Sequence, residues 1–378
     1  MSQNLNRSVP LKRRDFLRGL GAAGAFTGAA MLAGCKAAIV RSSAPASDAL
    51  GADTAVLPTA TPAAAAAFTP ETAAATATGR ARVALVKTGS RADGVRQALA
   101  LFGVPDTGGK HIFLKPNFNS ADPAPGSTHP DVLRTVIGAL QQGKPSRIVV
   151  GDRSGMGNTR QVLEQAGVFS LAQELGFEAL VLDELDVNGW QHFNPPGSHW
   201  ARGFALPKPL LEADMVVQTC CLKTHRFGGH FTLSLKNSVG LAAKTLPDED
   251  YNYMGELHSS PDQRRMIAEI NTVYAPSLIV LDGVEAFRTG GPDSGDKVAA
   301  NVVLAGSDRV AVDAVGVAIL RLLGTTPAVS EEPIFSQEQL ARAVELGLGA
   351  ASGAQIELIT SDEEGAAYAA QIEQMLLA

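Results

Sequence analysis

The chain has 378 residues, 45% hydrophobic and 19% charged, with a formal net charge of −6. That composition suits a globular domain large enough to bury a substantial core. An acidic balance and 5% aromatic residues exclude a phosphate-backbone or base-stacking surface, so no nucleic-acid partner is expected.

Residues 1–35 read as a targeting segment. Arg7, Lys12, Arg13, Arg14 and Arg18 outnumber the single acid Asp15, and without residues 1–34 the formal charge falls from −6 to −10. The run Lys12-Arg13-Arg14-Asp15-Phe16-Leu17-Arg18 resembles a twin-arginine signal. Residues 19–31 are uncharged but too short and too rich in Gly and Ala for a spanning helix, which needs ~20 apolar residues. Leu32-Ala33-Gly34-Cys35 resembles a bacterial lipobox. Together these resemblances imply passage through the twin-arginine export machinery and cleavage before Cys35. They further imply a lipid anchor on Cys35, holding the chain to a membrane of the cell envelope and facing the periplasm or the cell exterior. Residues 36–79 are dominated by Ala, Thr, Pro and Ser without an apolar period, and read as a disordered tether.

The folded part is expected over 80–378. Apolar runs at 83–86, 112–114, 148–150, 179–182, 215–219, 278–281, 302–305 and 356–359 read as buried strands. Helical spacing appears at 95–102, 132–140, 264–273, 310–323, 337–346 and 366–377, with Pro130 and Pro261 suited to first helical turns. This alternation predicts an α/β fold: a mostly parallel sheet with helices on both faces, as one large domain or two intimate lobes. Residues 183–210 and 244–262 are long and polar and are expected to be irregular loops.

Polar residues follow the strands. Lys115-Pro116-Asn117, Gly151-Asp152, Lys223-Thr224-His225 and Asp282-Gly283 each leave an apolar run. Parallel strands would deliver all four to one edge, where open α/β sheets bind ligands. These segments, with Leu235-Lys236-Asn237, Gly290-Gly291-Pro292, Asp308 and Asp313, resemble in order the domain of unknown function 362 family over about residues 82–325. The resemblance implies a fold and a shared pocket, without a reaction. Ferredoxin-like cysteine clusters of some relatives are missing.

Lys115, Lys223 and Lys236 after apolar segments suggest a site for a small phosphate or carboxylate, with Asn117 and Asn237 as amide donors and Asp152 as a local counter-charge. His225 is the candidate acid/base, Asp282 its carboxylate partner or a metal ligand, and Lys223 a third catalytic candidate. Lys223→Ala is expected to remove binding with little effect on the thermal midpoint. His225, His230, His258, Asp282 and Asp313 are candidate metal ligands, although no close ligand spacing such as HExxH is present. Gly151–Gly157 reads either as a backbone anion cradle or as a plain glycine turn, and Asp308 as a helix cap. The only cysteines are Cys35, Cys220 and Cys221, so no iron–sulfur cluster is expected from this chain's own thiols. The adjacent Cys220 and Cys221 read as small buried residues rather than a strained vicinal disulfide. The residues leave open three readings: an enzyme on a small anion, a non-catalytic ligand-binding lipoprotein, or a redox or metal-binding accessory protein.

Overall fold

Eleven strands build the fold: β1 (Ala81–Lys87), β2 (His111–Lys115), β3 (Arg147–Asp152), β4 (Glu178–Val181), β5 (Trp190–Phe193), β6 (Phe204–Pro207), β7 (Met215–His225), β8 (His230–Thr232), β9 (Leu278–Gly290), β10 (Gly295–Gly306) and β11 (Ile356–Ile359). They come from a computed structural model that describes residues 79–378. The signal segment, Cys35 and the tether expected over 36–79 lie outside the described residues, save Gly79.

Nine strands share one sheet, in the order β11-β1-β10-β9-β7-β2-β3-β4, with β8 paired to the end of β7. The pairs β1–β11, β2–β3, β2–β7, β3–β4 and β7–β9 are parallel. Strand β10 runs antiparallel to both neighbours, and β8 antiparallel to β7. The sheet is therefore mixed but mostly parallel, and the described residues form a single α/β domain rather than two lobes.

Apolar runs become strands here because both faces of the sheet are covered. Val83 and Leu85 pack into one core with Ile279, Leu281 and the helix Arg309–Leu322. Their neighbours Ala84 and Val86 pack into the opposite core with Ile112, Leu114, Leu278 and Val280, against the helices Arg91–Phe102 and Pro130–Gln141. Successive residues thus serve opposite faces, as the pleat requires. Each fully buried Leu, Ile or Val contributes about 1.5–3 kcal/mol relative to exposure.

Caps set several helix starts. Ser90 accepts from Asp93 N, Pro130 occupies the first turn of its helix, and Asp308 accepts from Ala311 N at 2.9 Å. Asp308 is thus a helix cap. Pro261 departs from expectation: it precedes the helix Gln263–Ile270 by two residues. It sits inside a turn closed by Gln263 N donating to Ser260 O, where its fixed φ fits.

The two stretches expected to be irregular carry short elements. Strands β5 and β6 form a separate hairpin within 183–210, and the helix Tyr253–Ser259 lies within 244–262. A satellite core of Trp190, Trp200, Phe204, Tyr253 and Met266 holds them, and Trp200 Nε1 donates to Met266 O at 3.1 Å. No helix among the described residues is long and apolar enough to cross a membrane.

Candidate functional site

The chain leaves β2 outward to β3 and β4, then returns to place β7 on the other side of β2. Adjacent parallel strands whose connections diverge open a crevice at their carboxyl ends. Lys115 ends β2 and Asp152 ends β3, while β7 continues beyond its pairing with β2 to His225, where β8 pairs with it. A register shift between Cys221 and Lys223 breaks the β7–β9 ladder there, and such irregularities re-aim the following side chains.

A relay of buried polar groups crosses this crevice. Lys115 Nζ lies 2.7 Å from Asp152 Oδ1 and donates to Pro116 O at 2.6 Å and Asn237 Oδ1 at 3.2 Å. Asn117 Nδ2 donates to the same Asn237 oxygen at 3.4 Å. Lys223 Nζ donates to Asn117 Oδ1 at 2.8 Å, to Pro292 O at 3.2 Å and to Gly126 O. Asp152 also accepts from the backbone of Phe118 and Arg153, each at 2.7 Å. Lys115 and Lys223 thus satisfy their ammonium donors inside the protein.

Two glycines permit this closeness. A Cβ on Gly240 would stand 2.8 Å from both Asp152 Oδ1 and Lys115 Nζ. Gly291, at φ +55, brings its backbone against β7, where a Cβ would lie 1.9 Å from Thr224 O.

Beside the relay is a partly open cavity of about 40 Å³, room for roughly three waters. Its walls include Lys115, Asn117, Asp152, His225, Lys236 and Asn237, all expected at the site. Arg153, Asn119 and Thr232 line it too, and were not singled out from sequence. Lys223 is joined to this set through Asn117 but is not part of the cavity wall.

Lys236 is unlike the other two lysines. Among the described residues no acceptor or carboxylate pairs with its buried ammonium. Burial, with the charges of Lys223 and Arg153, pulls its pKa down to about 7. Buried polar atoms without partners surround it: Asn119 Nδ2, Arg153 Nε, His225 Nδ1 and Thr232 Oγ1. Such atoms are costly unless something meets them. Burial, then Lys236 and Lys223, hold His225 far below the ordinary histidine pKa, so its ring is neutral at pH 7. Burial also lowers Lys115 and Lys223 and raises Asp152, whose partner Lys115 opposes that rise.

Other candidates lie elsewhere. Asp282 Oδ2 is 2.8 Å from Arg91 Nε, and Oδ1 accepts from Val284 N at 3.0 Å. It therefore pairs with Arg91, and not with His225. Asp313 accepts from the backbone of Ser234 and Leu235 and so caps the short helix Ser234–Asn237, which carries Lys236 and Asn237. His258 Nδ1 faces Met254 O at 2.7 Å, and His230 Nδ1 is unpaired outside the cavity wall. Among the described residues, no three His, Cys, Asp or Glu side chains are placed to hold a metal ion. Cys220 and Cys221 are free and buried, and burial pushes the Cys221 thiol up to about 12. In the loop after β3, Arg153 N, Ser154 N and Met156 N donate to Gly240 O, Thr159 Oγ1 and Asn119 O. The loop is a tied-down turn, and those N–H groups do not form an anion cradle.

Fold and crevice together define an α/β domain with a cation-lined pocket at the switch point of its sheet. The chain belongs to the family described as domain of unknown function (DUF362), whose model matches residues 112–318. It is 29% identical over 226 residues to the thylakoid-associated protein sll1697 of Synechocystis sp., covering 57% of this chain and 64% of that protein. The match thus spans less than two thirds of that relative. Among solved structures, the lactate racemase apoprotein from Thermoanaerobacterium thermosaccharolyticum matches with a TM-score of 0.42 at 17% identity, over 64% of this chain and 57% of that one.

Proposed function

We propose that this cleft holds a small anion, a phosphate or a carboxylate, in the exported domain of a lipid-anchored envelope protein. The observation that carries the reading is Lys236: a largely buried lysine, 8% exposed, with no protein acceptor for its ammonium among the described residues, lining a small cavity whose unpaired atoms include N–H donors of Asn119 and Arg153. Lys115 is paired with Asp152, Arg153 lies near Asp183 and Asp152, and Lys223 lies near Asp293 and Asp122, whereas no carboxylate among the described residues balances Lys236 when it is protonated. An anion would offset that imbalance and satisfy the idle donors. Lys115, Asn117, Asp152, Asn237 and Lys223 would shape the pocket, and Lys236 would meet the ligand.

The envelope location comes from the twin-arginine run and Cys35. The thylakoid association named for the Synechocystis relative is in keeping with work at a membrane surface. A catalytic reading is favoured over simple capture by one feature, the neutral His225 ring beside Lys236. Its unprotonated nitrogen can accept a hydrogen bond from the ligand or from Lys236, although burial and the nearby cations make it too weak a base to hold a proton at pH 7.

Inorganic phosphate and acetate, titrated separately against the full-length protein, test the proposal. At least one should raise the thermal midpoint, and Lys236→Gln should abolish the rise. No response to either anion would overturn the reading.

A further inference from the structure

We infer that the ligand of this cleft carries a carbonyl group next to its anionic group, and that Lys236 holds it covalently as an imine. This rests on the anion-binding reading and specifies its ligand as a small 2-oxo acid.

The three lysines differ in what their nitrogens can do. Lys115 and Lys223 each have three acceptors within reach, which suits an ammonium with three N–H bonds. Neither nitrogen has a lone pair to offer while so engaged. Lys236 has no protein acceptor among the described residues, and an ammonium held in a largely buried site without one is unfavourable. Desolvation and neighbouring cations therefore favour the free amine, as its pKa of about 7 reflects. That combination is how a lysine becomes a nucleophile toward carbonyl carbon.

The surroundings supply the remaining roles. A Cβ on Gly229 would meet Lys236 Cε at 2.6 Å and His225 Nδ1 at 2.9 Å, so amine stem and imidazole pack on the same spot. Asn119 Nδ2 and Arg153 Nε are donors for a carboxylate. The cavity, about 40 Å³ and partly open, admits the carbonyl and carboxylate end and leaves any larger substituent outside.

The step balances without an oxidant or reductant. The Lys236 lone pair forms a C–N bond to the carbonyl carbon, and the C=O π pair moves to oxygen. The nitrogen gives up a proton to water in the partly open cavity. The oxygen takes up that proton and one from solvent and leaves as water. The nitrogen lone pair then closes the C=N bond, leaving a positively charged iminium beside the ligand carboxylate.

The test incubates the full-length protein with pyruvate and sodium borohydride, followed by peptide mass mapping. A single reduced pyruvyl adduct is expected at Lys236. Its rate should rise through about pH 7, phosphate should compete with it, and Lys236→Arg should lack it. Phosphate-induced stabilisation is measured on the same samples. Stabilisation by phosphate without an adduct at Lys236, or with adducts spread evenly over exposed lysines, would overturn the imine and leave the anion site standing. If neither stabilisation nor adduct is seen, both fall.

Discussion

Asp313 Oδ1 accepts a hydrogen bond from the backbone N–H of Ser234 at 2.7 Å, so a carboxylate on a core helix holds the turn that presents Lys236. Burial raises the Asp313 pKa to about 7. Between about pH 4 and pH 7 the unfolded chain is then the more ionised state, and stability falls as pH rises. Asp313→Asn should remove that slope and cost about 1–3 kcal/mol for the acceptor lost. Urea denaturation of both proteins across this range should show the wild-type advantage shrinking toward pH 7. An advantage that grows with pH would mean that Asp313 is held as a carboxylate instead.

Lys236 titrates with the opposite sense. Its folded pKa of about 7 lies below the ordinary lysine value, so the unfolded chain binds more protons between about pH 7 and pH 10, and stability rises with pH there. Lys236→Met keeps the volume and removes the buried charge. It should flatten this slope and stabilise the protein at pH 6 by at least about 2 kcal/mol, while eliminating the response to phosphate. Chemical denaturation at pH 6 and pH 9 would settle it; equal destabilisation at both values would make Lys236 a structural residue.

Lys223→Ala now has a different expected outcome from the one its sequence suggests. The side chain is fully buried and ties Asn117, Gly126 and Pro292 together. Truncation leaves three buried acceptors unpaired and a void behind them, a loss of about 3–5 kcal/mol. Thermal unfolding should show a large drop in the midpoint. An unchanged midpoint with lost phosphate binding would restore Lys223 as a direct ligand residue.

Anchoring at Cys35 is checked in the native host. Wild-type protein should partition with membranes and incorporate a labelled fatty acid. Cys35→Ala should do neither, appearing soluble or unprocessed. Full membrane retention and labelling of Cys35→Ala would place the attachment elsewhere.

The strand cores were legible because burial on both faces demands unbroken apolar runs, as in Ile112-Phe113-Leu114. Strand lengths were not. The ends of β7, β9 and β10 carry Lys223 to His225, Arg288 and Asp296, polar residues kept extended by pairing with β8 or with each other. The reversed direction of β10 was hidden too, since 302–305 reads alike either way. At the site, the strand-exit rule brings Lys115, Asp152 and His225 together. It misplaces Asp282 because it ignores which face a residue serves. Asp282 alternates with Leu281 and shares the face of Leu278 and Val280, where Arg91 begins its helix. Lys115 shares the face of Phe113 instead. Arg153 and Asn119 carried only the weak signal of adjacency to Asp152 and Asn117.

Residues 35–378 carry a formal charge of −10, yet the cleft concentrates Lys115, Arg153, Lys223 and Lys236 beneath the surface. Salt screens exposed charges far more than buried ones. An anion proposed to bind here would therefore have to approach a net-acidic chain before it reached these cations. Encounter should be slow and should quicken, not slow, as salt is added, whereas departure should respond little. Such a pocket trades speed of capture for length of stay, and would select ligands by residence time rather than by collision frequency.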